Sequence, residues 1–318
     1  MTIDDRMETF AGLPVLEFSR VLRDGGAPPD PASVAWRLEV DHYEANAVAD
    51  EEFVAAFEAL LARCGPGGPG ALVIGNWGGA FERAFPMEVL TRNAARLAQL
   101  RALFIGEMTS ANCETSWITL GDITPVLTAF PDLERLWIRG SKGLLLSPVR
   151  HAGLRELVLQ SAGLPAPVVR AVAASDLPHV TRLELWLGTS ERGGGARAED
   201  LAPILRGVAL PALTRLGLRN IEDTDWFVKS MATAPVLARL TELDLSLGTL
   251  GDEGAQTLLA GQALTHLETL NLSHHFLSPD VARRLVDELP GVAVDVSDRV
   301  DRDEDDEEED WRYVAVGE

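Results

Sequence analysis

A right-handed α/β superhelix of about ten repeats, with a parallel sheet on its concave face and helices on the convex one, is the fold class this sequence predicts. Three observations carry the prediction. The pattern L-x-x-L-x-L recurs along the chain, its copies are spaced by roughly one strand and one helix, and the intervals hold helical runs with start signals. In L-x-L the side chains alternate, so the leucines enter the core and the residues between them face outward on a short strand.

The copies start weakly with Leu38 and Val40, then Leu72 and Ile74, then Leu100, Leu103 and Ile105. They become regular at Leu133, Leu136 and Ile138; Leu154, Leu157 and Leu159; Val180, Leu183 and Leu185; Leu213, Leu216 and Leu218; Leu240, Leu243 and Leu245; and Leu267, Leu270 and Leu272. Val292, Val294 and Val296 form a degenerate last copy. Between middle residues, counted from Leu38, the steps are 34, 31, 33, 21, 26, 33, 27, 27 and 24 residues. Helices are predicted over Glu51–Leu61, Met87–Leu97, Pro125–Phe130, Pro167–Ala174, Asp200–Arg206, Asp225–Ala232, Asp252–Leu259 and Pro279–Leu289. Thr124 and Ser278 place a hydroxyl just ahead of an N1 proline, a helix-start signal. The 21-residue step is too short for a helix, and SKGLLLSP at 141–148 reads as extended chain. The domain expectation is an N-terminal cap over 1–33, the repeats over 34–297, an acidic disordered linker over 298–310 and an apolar segment over 311–318.

This pattern resembles the leucine-rich-repeat proteins of the ribonuclease-inhibitor-like class, most closely in LDLSLGTLGDEGAQTLL at 243–259. With EMTSANCETSWI at 107–118 and LELWLGTSERGG at 183–194, it is similar to a bacterial family of such proteins to which no activity is assigned. That family's genes often sit beside radical-SAM and ATP-grasp enzymes, so the resemblance implies a horseshoe-shaped solenoid in an accessory role. One feature departs from the class: Asn or Cys is common five residues after the middle leucine, whereas here Ser141, Ala162, Gly188, Ile221, Gly248 and His275 occupy that place. The turns are therefore expected to satisfy their hydrogen bonds through backbone or water.

Composition bounds the function. The formal charge is −21, and the run from Asp298 to Asp310 holds ten acidic residues against two arginines. An acidic body repels phosphate backbones and anionic membranes, so neither nucleic acid nor membrane is expected, and a protein partner with a basic patch is. MTIDDRMETF lacks a basic region followed by an apolar run, and Cys64 and Cys113 are the only cysteines, which points to a cytoplasmic location.

The outward strand positions Phe104, Trp137, Glu184, Asp244 and Asn271, with Arg139, Gln160, Trp186 and Arg219 beside them, read as a partner-binding face rich in Trp and Arg; packing between neighbouring strands is the other reading. Long loops follow the strands at Leu72, Leu103 and Leu183 and add Trp77, Glu107 and Trp117, as a second binding surface or as cover for the core edge. No nucleophile elbow, P-loop or HExxH occurs, and CGPGGPG at 64–70 lacks the lysine of a phosphate cradle. The expectation is a non-catalytic scaffold or accessory subunit without a cofactor or metal. The alternative is an enzyme or small-molecule binder centred on 107–118, where Glu107, Cys113 and Glu114 cluster. His266, His274 and His275 could approach one another, but no cysteine or spaced carboxylate completes a metal site. Trp311, Tyr313, Val314 and Val316 could cap the last repeat, add a strand to a sheet edge or dock into a partner.

Overall fold

The computed structural model describes residues 5–24, 29–40, 47–301 and 312–318, so 302–310 of the acidic linker and Trp311 lie outside the described residues. The chain divides into two compact units, Met1–Gln160 and Ser161–Glu318. Each is a sheet of consecutive strands with helices in the connections, an α/β arrangement.

The first unit opens with a hairpin of β1 (Thr9–Phe10) and β2 (Leu13–Glu17), the single antiparallel pair among the described strands. Its turn residues Ala11 and Gly12 both have positive φ, the conformation a tight two-residue hairpin requires. From β2 onward every pairing is parallel, through β3 (Ala35–Leu38), β4 (Ala71–Ile74), β5 (Ala102–Ile105), β6 (Arg135–Arg139) and β7 (Glu156–Gln160). The connections hold α1 (Phe18–Asp24), α2 (Ala47–Cys64), α3 (Met87–Arg92) and α4 (Thr124–Ala129). The register aligns Leu16, Trp36, Leu72, Leu103, Leu136 and Leu157 in one row.

That row corrects the first repeat. Trp36, not Leu38, sits beside Leu72, and Leu16 extends the row into the segment expected to be a cap. A slip of two residues keeps side chains on the same face, so alternation alone does not separate the two registers. Packing decides: Trp36 meets Phe18 of α1 edge-to-face at 5.9 Å.

The short step between β6 and β7 holds no helix, as its length requires. Instead the stretch after β6 pairs with 119–122, through Leu120 N to Lys142 O at 2.7 Å and Leu145 N to Gly121 O at 3.1 Å. His151 closes the step from within. It is buried, its Nε2 donates to Phe130 O and its Nδ1 accepts from Leu154 N, both at 2.9 Å.

The second unit runs β8 (Arg182–Gly188), β9 (Arg215–Ile221), β10 (Glu242–Asp244), β11 (Thr269–Asn271) and β12 (Ala293–Asp295), all parallel, with Leu183, Leu216, Leu243, Leu270 and Val294 in one row. Its helices are α5 (Ala166–Ala174), α6 (Ala202–Leu205), α7 (Thr224–Met231), α8 (Asp252–Ala260) and α9 (Pro279–Glu288). Ser278 caps α9 by accepting from Val281 N, as its position predicts. Thr124 does not cap α4; it is the first helical residue, its amide is held by Asp122 Oδ1, and its hydroxyl accepts from Ser147 N.

The strand ends share a device invisible in the repeat pattern. Four residues after the aligned row residue, Gly140, Asn220, Leu247, His274 and Asp298 all have positive φ. For Leu247 this conformation costs about 1–2 kcal/mol, so the surrounding packing must impose it, whereas Asn, His and Asp adopt it more readily. Among the described residues no helix is long and apolar enough to cross a membrane.

Candidate functional site

In the first unit the outward strand face is not free. The segment before β2 folds over it: Phe10 joins Ala35, Ala71, Val73, Ala102 and Phe104 in an apolar cluster, with Met7, Leu13, Val15 and Trp137 at its margin. Phe10 lies 6.0 Å from Phe104 and 5.6 Å from Trp137, ring centre to ring centre. Trp137 is half-buried and donates its indole N–H to Glu156 Oε1 at 2.9 Å. Arg139 is buried, 5.5 Å above Phe104, and donates to Gln160 Oε1 at 2.9 Å and Met108 O at 2.6 Å. Phe104, Arg139 and Gln160 are therefore brought together, as interior of this unit and not as surface.

The loop at 107–118 receives the same treatment. Glu107 is buried and takes both Arg37 Nε at 2.9 Å and a second Arg37 nitrogen at 2.8 Å, while Met7 N donates to it at 2.8 Å. Both oxygens of this carboxylate are engaged. Burial pushes the Cys113 thiol up to about 11, with the Glu114 charge acting the same way and Lys142 opposing. A thiol so perturbed is a poor nucleophile at neutral pH. Within the loop Ile118 covers the core edge and Trp117 does not, being 52 % exposed. Trp77 is buried with its N–H on Arg83 O, its ring 5.2 Å from Phe85, and forms one wall of a half-open cleft of about 600 Å³ shared with Phe53, Arg83, Phe85 and Arg92.

The second unit holds a different arrangement on the corresponding face. Register places Glu184, Gly217, Asp244, Asn271 and Asp295 in one outward row. Gly217 makes room there, since a Cβ on it would stand 3.0 Å from Glu184 Cγ. Into that room the Glu184 carboxylate packs, accepting from Trp186 Nε1 at 2.7 Å, Arg182 at 2.7 Å and Arg219 at 3.0 Å. Arg219 also stacks over Trp186 at 4.9 Å, donates to Ser246 Oγ at 2.9 Å and stands 3.4 Å from Asp244. Asp244 in turn accepts from Asn271 Nδ2 at 3.0 Å and from Ser246. Burial pushes the Glu184 carboxyl up, but the Arg219 and Arg182 charges and the hydrogen bonds from Trp186 and Arg182 outweigh it and hold the group below the usual carboxylate range.

Sequence reading treats Trp186 as an exposed anchor; it is only 1 % exposed, beneath Arg219. The row opens to solvent toward β12. Glu184 is buried, Asp244 and Asn271 are partly exposed and Asp295 is exposed. The network is ordered at one end by stacking and ion pairing and ends in accessible carboxylates.

No protein-family model matches the chain, and no curated protein matches it. Among solved structures the chain is similar to a protein from Bacteroides fragilis, a structural-genomics target whose description carries no activity. The likeness extends over 88 % of this chain and 78 % of that one, with 28 % sequence identity and a TM-score of 0.76. It supports a repeat-type α/β architecture and brings no ligand, partner or reaction with it.

Several contributors to these sites were not singled out from sequence. Arg182 lies just outside the outward columns because it begins β8. Asn220 sits four residues after its row residue, one short of the usual Asn position, and is fully buried. His275 does occupy the usual position and does the usual work, donating from Nε2 to Val296 O at 2.9 Å and accepting at Nδ1 from Leu277 N at 3.1 Å. The expectation that turns rely on backbone or water alone is corrected at His275. A side chain with a donor and an acceptor two bonds apart replaces the asparagine, and imidazole meets that requirement as amide does.

Proposed function

We propose that this chain is a leucine-rich-repeat solenoid of the right-handed α/β kind, with about ten repeats or one more given the strand at Leu16, serving as a non-catalytic cytoplasmic scaffold or accessory subunit that binds a protein partner carrying a basic patch. The observation that carries this reading is the outward row of the second unit. The buried Glu184 and the largely covered Arg219 rigidify it, and Asp244, Asn271 and Asp295 present polar groups to solvent at its open end. Preordered carboxylates lose little side-chain entropy on binding, and they attract arginine or lysine selectively and speed association. The neighbouring Glu242, also partly exposed, adds to the same sign of charge.

Affinity capture from the organism's own extract tests this. The unaltered chain should retain a defined basic partner whose yield falls with rising salt, and Asp244→Lys with Asp295→Lys should release it while leaving the fold unchanged by circular dichroism. Equal capture by both proteins, or capture indifferent to salt, would remove the strand face as the binding surface.

A further inference from the structure

The segment 312–318 does not cap the last repeat. It lies extended across the strand-end turns of β8 to β11 within the second unit, contacting them in reverse order from Tyr313 onward. Arg312 pairs with Asp225 at 2.8 Å and donates to Thr249 O at 3.0 Å. Tyr313 O accepts from His274 Nε2 at 3.1 Å, and its ring leans on His274 and Phe276. Ala315 N donates to Leu247 O at 2.9 Å. Val316 is held twice by one side chain: its N–H donates to Asn220 Oδ1 at 3.0 Å, and its carbonyl accepts from Asn220 Nδ2 at 2.7 Å. Arg192 donates to Gly317 O and pairs with Glu318, both at 2.9 Å.

Three features make this a ligand in a groove. The side chains alternate over 313–316, with Val314 and Val316 buried and Tyr313 and Ala315 exposed, the period of an extended peptide on a one-sided surface. Most of the polar contacts go to the segment's main chain, the mode by which sheet edges and grooves recognise peptides of varied sequence. Asn220, Leu247 and His274, the residues that make them, are the three successive left-handed turn residues, so the repeat itself sets them in a line. Asn220 is fully buried and turns both amide atoms to Val316, its Nδ2 also reaching Ser161 O at 3.5 Å, so an empty groove leaves the amide oxygen without its Val316 partner and the nitrogen with only the long contact.

We propose that the strand-end groove of the second unit is a recognition site for an extended peptide of a partner protein, with a basic residue followed by β-branched residues at alternate positions, and that residues 312–318 hold it in cis until such a peptide displaces them. Asp225 selects the basic residue, the pockets of Val314 and Val316 select the small branched ones, and the Asn220 fork reads the backbone. A tethered occupant competes at an effective concentration in the millimolar range, which sets the affinity a displacing peptide needs. This proposal stands independently of the outward strand row, because it uses different residues.

The test uses the full chain and a fluorescein-labelled heptapeptide of sequence RYVAVGE. In the V314D/V316D chain the tethered segment no longer competes, and the peptide should bind at least about fiftyfold tighter than to the unaltered chain. Peptides carrying the Val316→Asp change should not bind that variant, and the Arg312→Ala change should weaken binding about tenfold. A heptapeptide that keeps the arginine and both valines but has threonine at the two exposed positions between them should bind within about threefold of the original. On the unaltered chain, the amides of Ala315 and Val316 should exchange at least about a hundredfold faster than those of Leu216 and Leu218. No peptide binding to the variant, binding equal to that of a scrambled peptide, loss of cooperative melting in the variant, or exchange at 315–316 as slow as in β9 would each overturn the proposal, the last two by showing that the segment is part of the core.

Discussion

Replacing Arg219 by methionine tests whether the outward network of the second unit is held by charge. The substitution keeps an apolar stem against Trp186 but removes the cation that faces Glu184 at 3.0 Å and Asp244 at 3.4 Å. Removing one partner of a buried ion pair costs about 3–5 kcal/mol, most of it the penalty of a buried charge left behind. Glu184 retains Arg182 and the Trp186 N–H, which places the loss near the lower end, and the lost cation–π contact adds about 1 kcal/mol. The expected destabilisation is about 3–4 kcal/mol, read as a fall of roughly 1 M in the urea midpoint for a chain of this size. The pH dependence supplies a second signature. In the unaltered chain Glu184 is depressed when folded, so its contribution is complete above the ordinary carboxylate value and is lost as pH falls through the lower folded value. Without Arg219, burial gains weight and the proton becomes easier to bind in the folded state, so the gap between variant and parent narrows from pH 7 toward pH 4. A loss under about 1 kcal/mol at pH 7, or a gap that stays constant over that range, would refute the reasoning.

His275 is fully buried, and burial lowers its pKa, with the Arg299 and His274 charges acting the same way against the Val296 carbonyl. The unfolded chain then binds the extra proton first, so stability should plateau above about pH 6.5 and fall below it; thermal midpoints at pH 5, 6 and 7.5 should show this slope in the parent and a flatter one in His275→Asn. Trp77→Ala should cost about 3–5 kcal/mol by urea unfolding because it empties a wall shared with Phe85, whereas Trp117→Ala, at a half-exposed site, should stay within about 0.5 kcal/mol. Cys113, raised to about 11, should react with iodoacetamide at pH 8 about a hundredfold more slowly than an unperturbed thiol, and reach a comparable rate after unfolding in urea.

The repeat was legible because buried leucines at period two leave a composition trace that no other element imitates over so many copies. Helix positions from α2 onward followed from the strand intervals and α1 did not, and neither did His151, which closes the helix-free step, because a lone histidine carries no periodic signal. The register error at Trp36 and Leu38 arose where an aromatic replaces the leucine and its packing partner Phe18 lies outside the pattern. The misreading of Trp186 and Phe104 has a different cause. Alternation reports which face of a strand a residue occupies and says nothing of what covers that face. In the first unit the cover is Phe10, brought over by a two-residue hairpin far upstream; in the second it is the Arg219 side chain.

That distinction bears on where a partner can bind. A side chain on an outward face becomes an interface anchor only if nothing in its own chain has claimed it, and Phe104, Arg139 and Glu107 are all packed or hydrogen-bonded within their own chain. What is left for recognition in the second unit is of two kinds: carboxylates at the open end of an internally paired row, and a line of left-handed turns whose polar groups point along the strand ends. Under the two proposals, the first selects charge and the second selects extended backbone. The turns are the more demanding of the two, since Leu247 holds a conformation unfavourable to a branched side chain, and Asn220, a type that adopts it more readily, aims a buried amide at a peptide bond. A repeat protein gains such a line at little sequence cost, because one local backbone choice, copied at each strand end, sets successive contacts at the inter-strand spacing of about 4.8 Å.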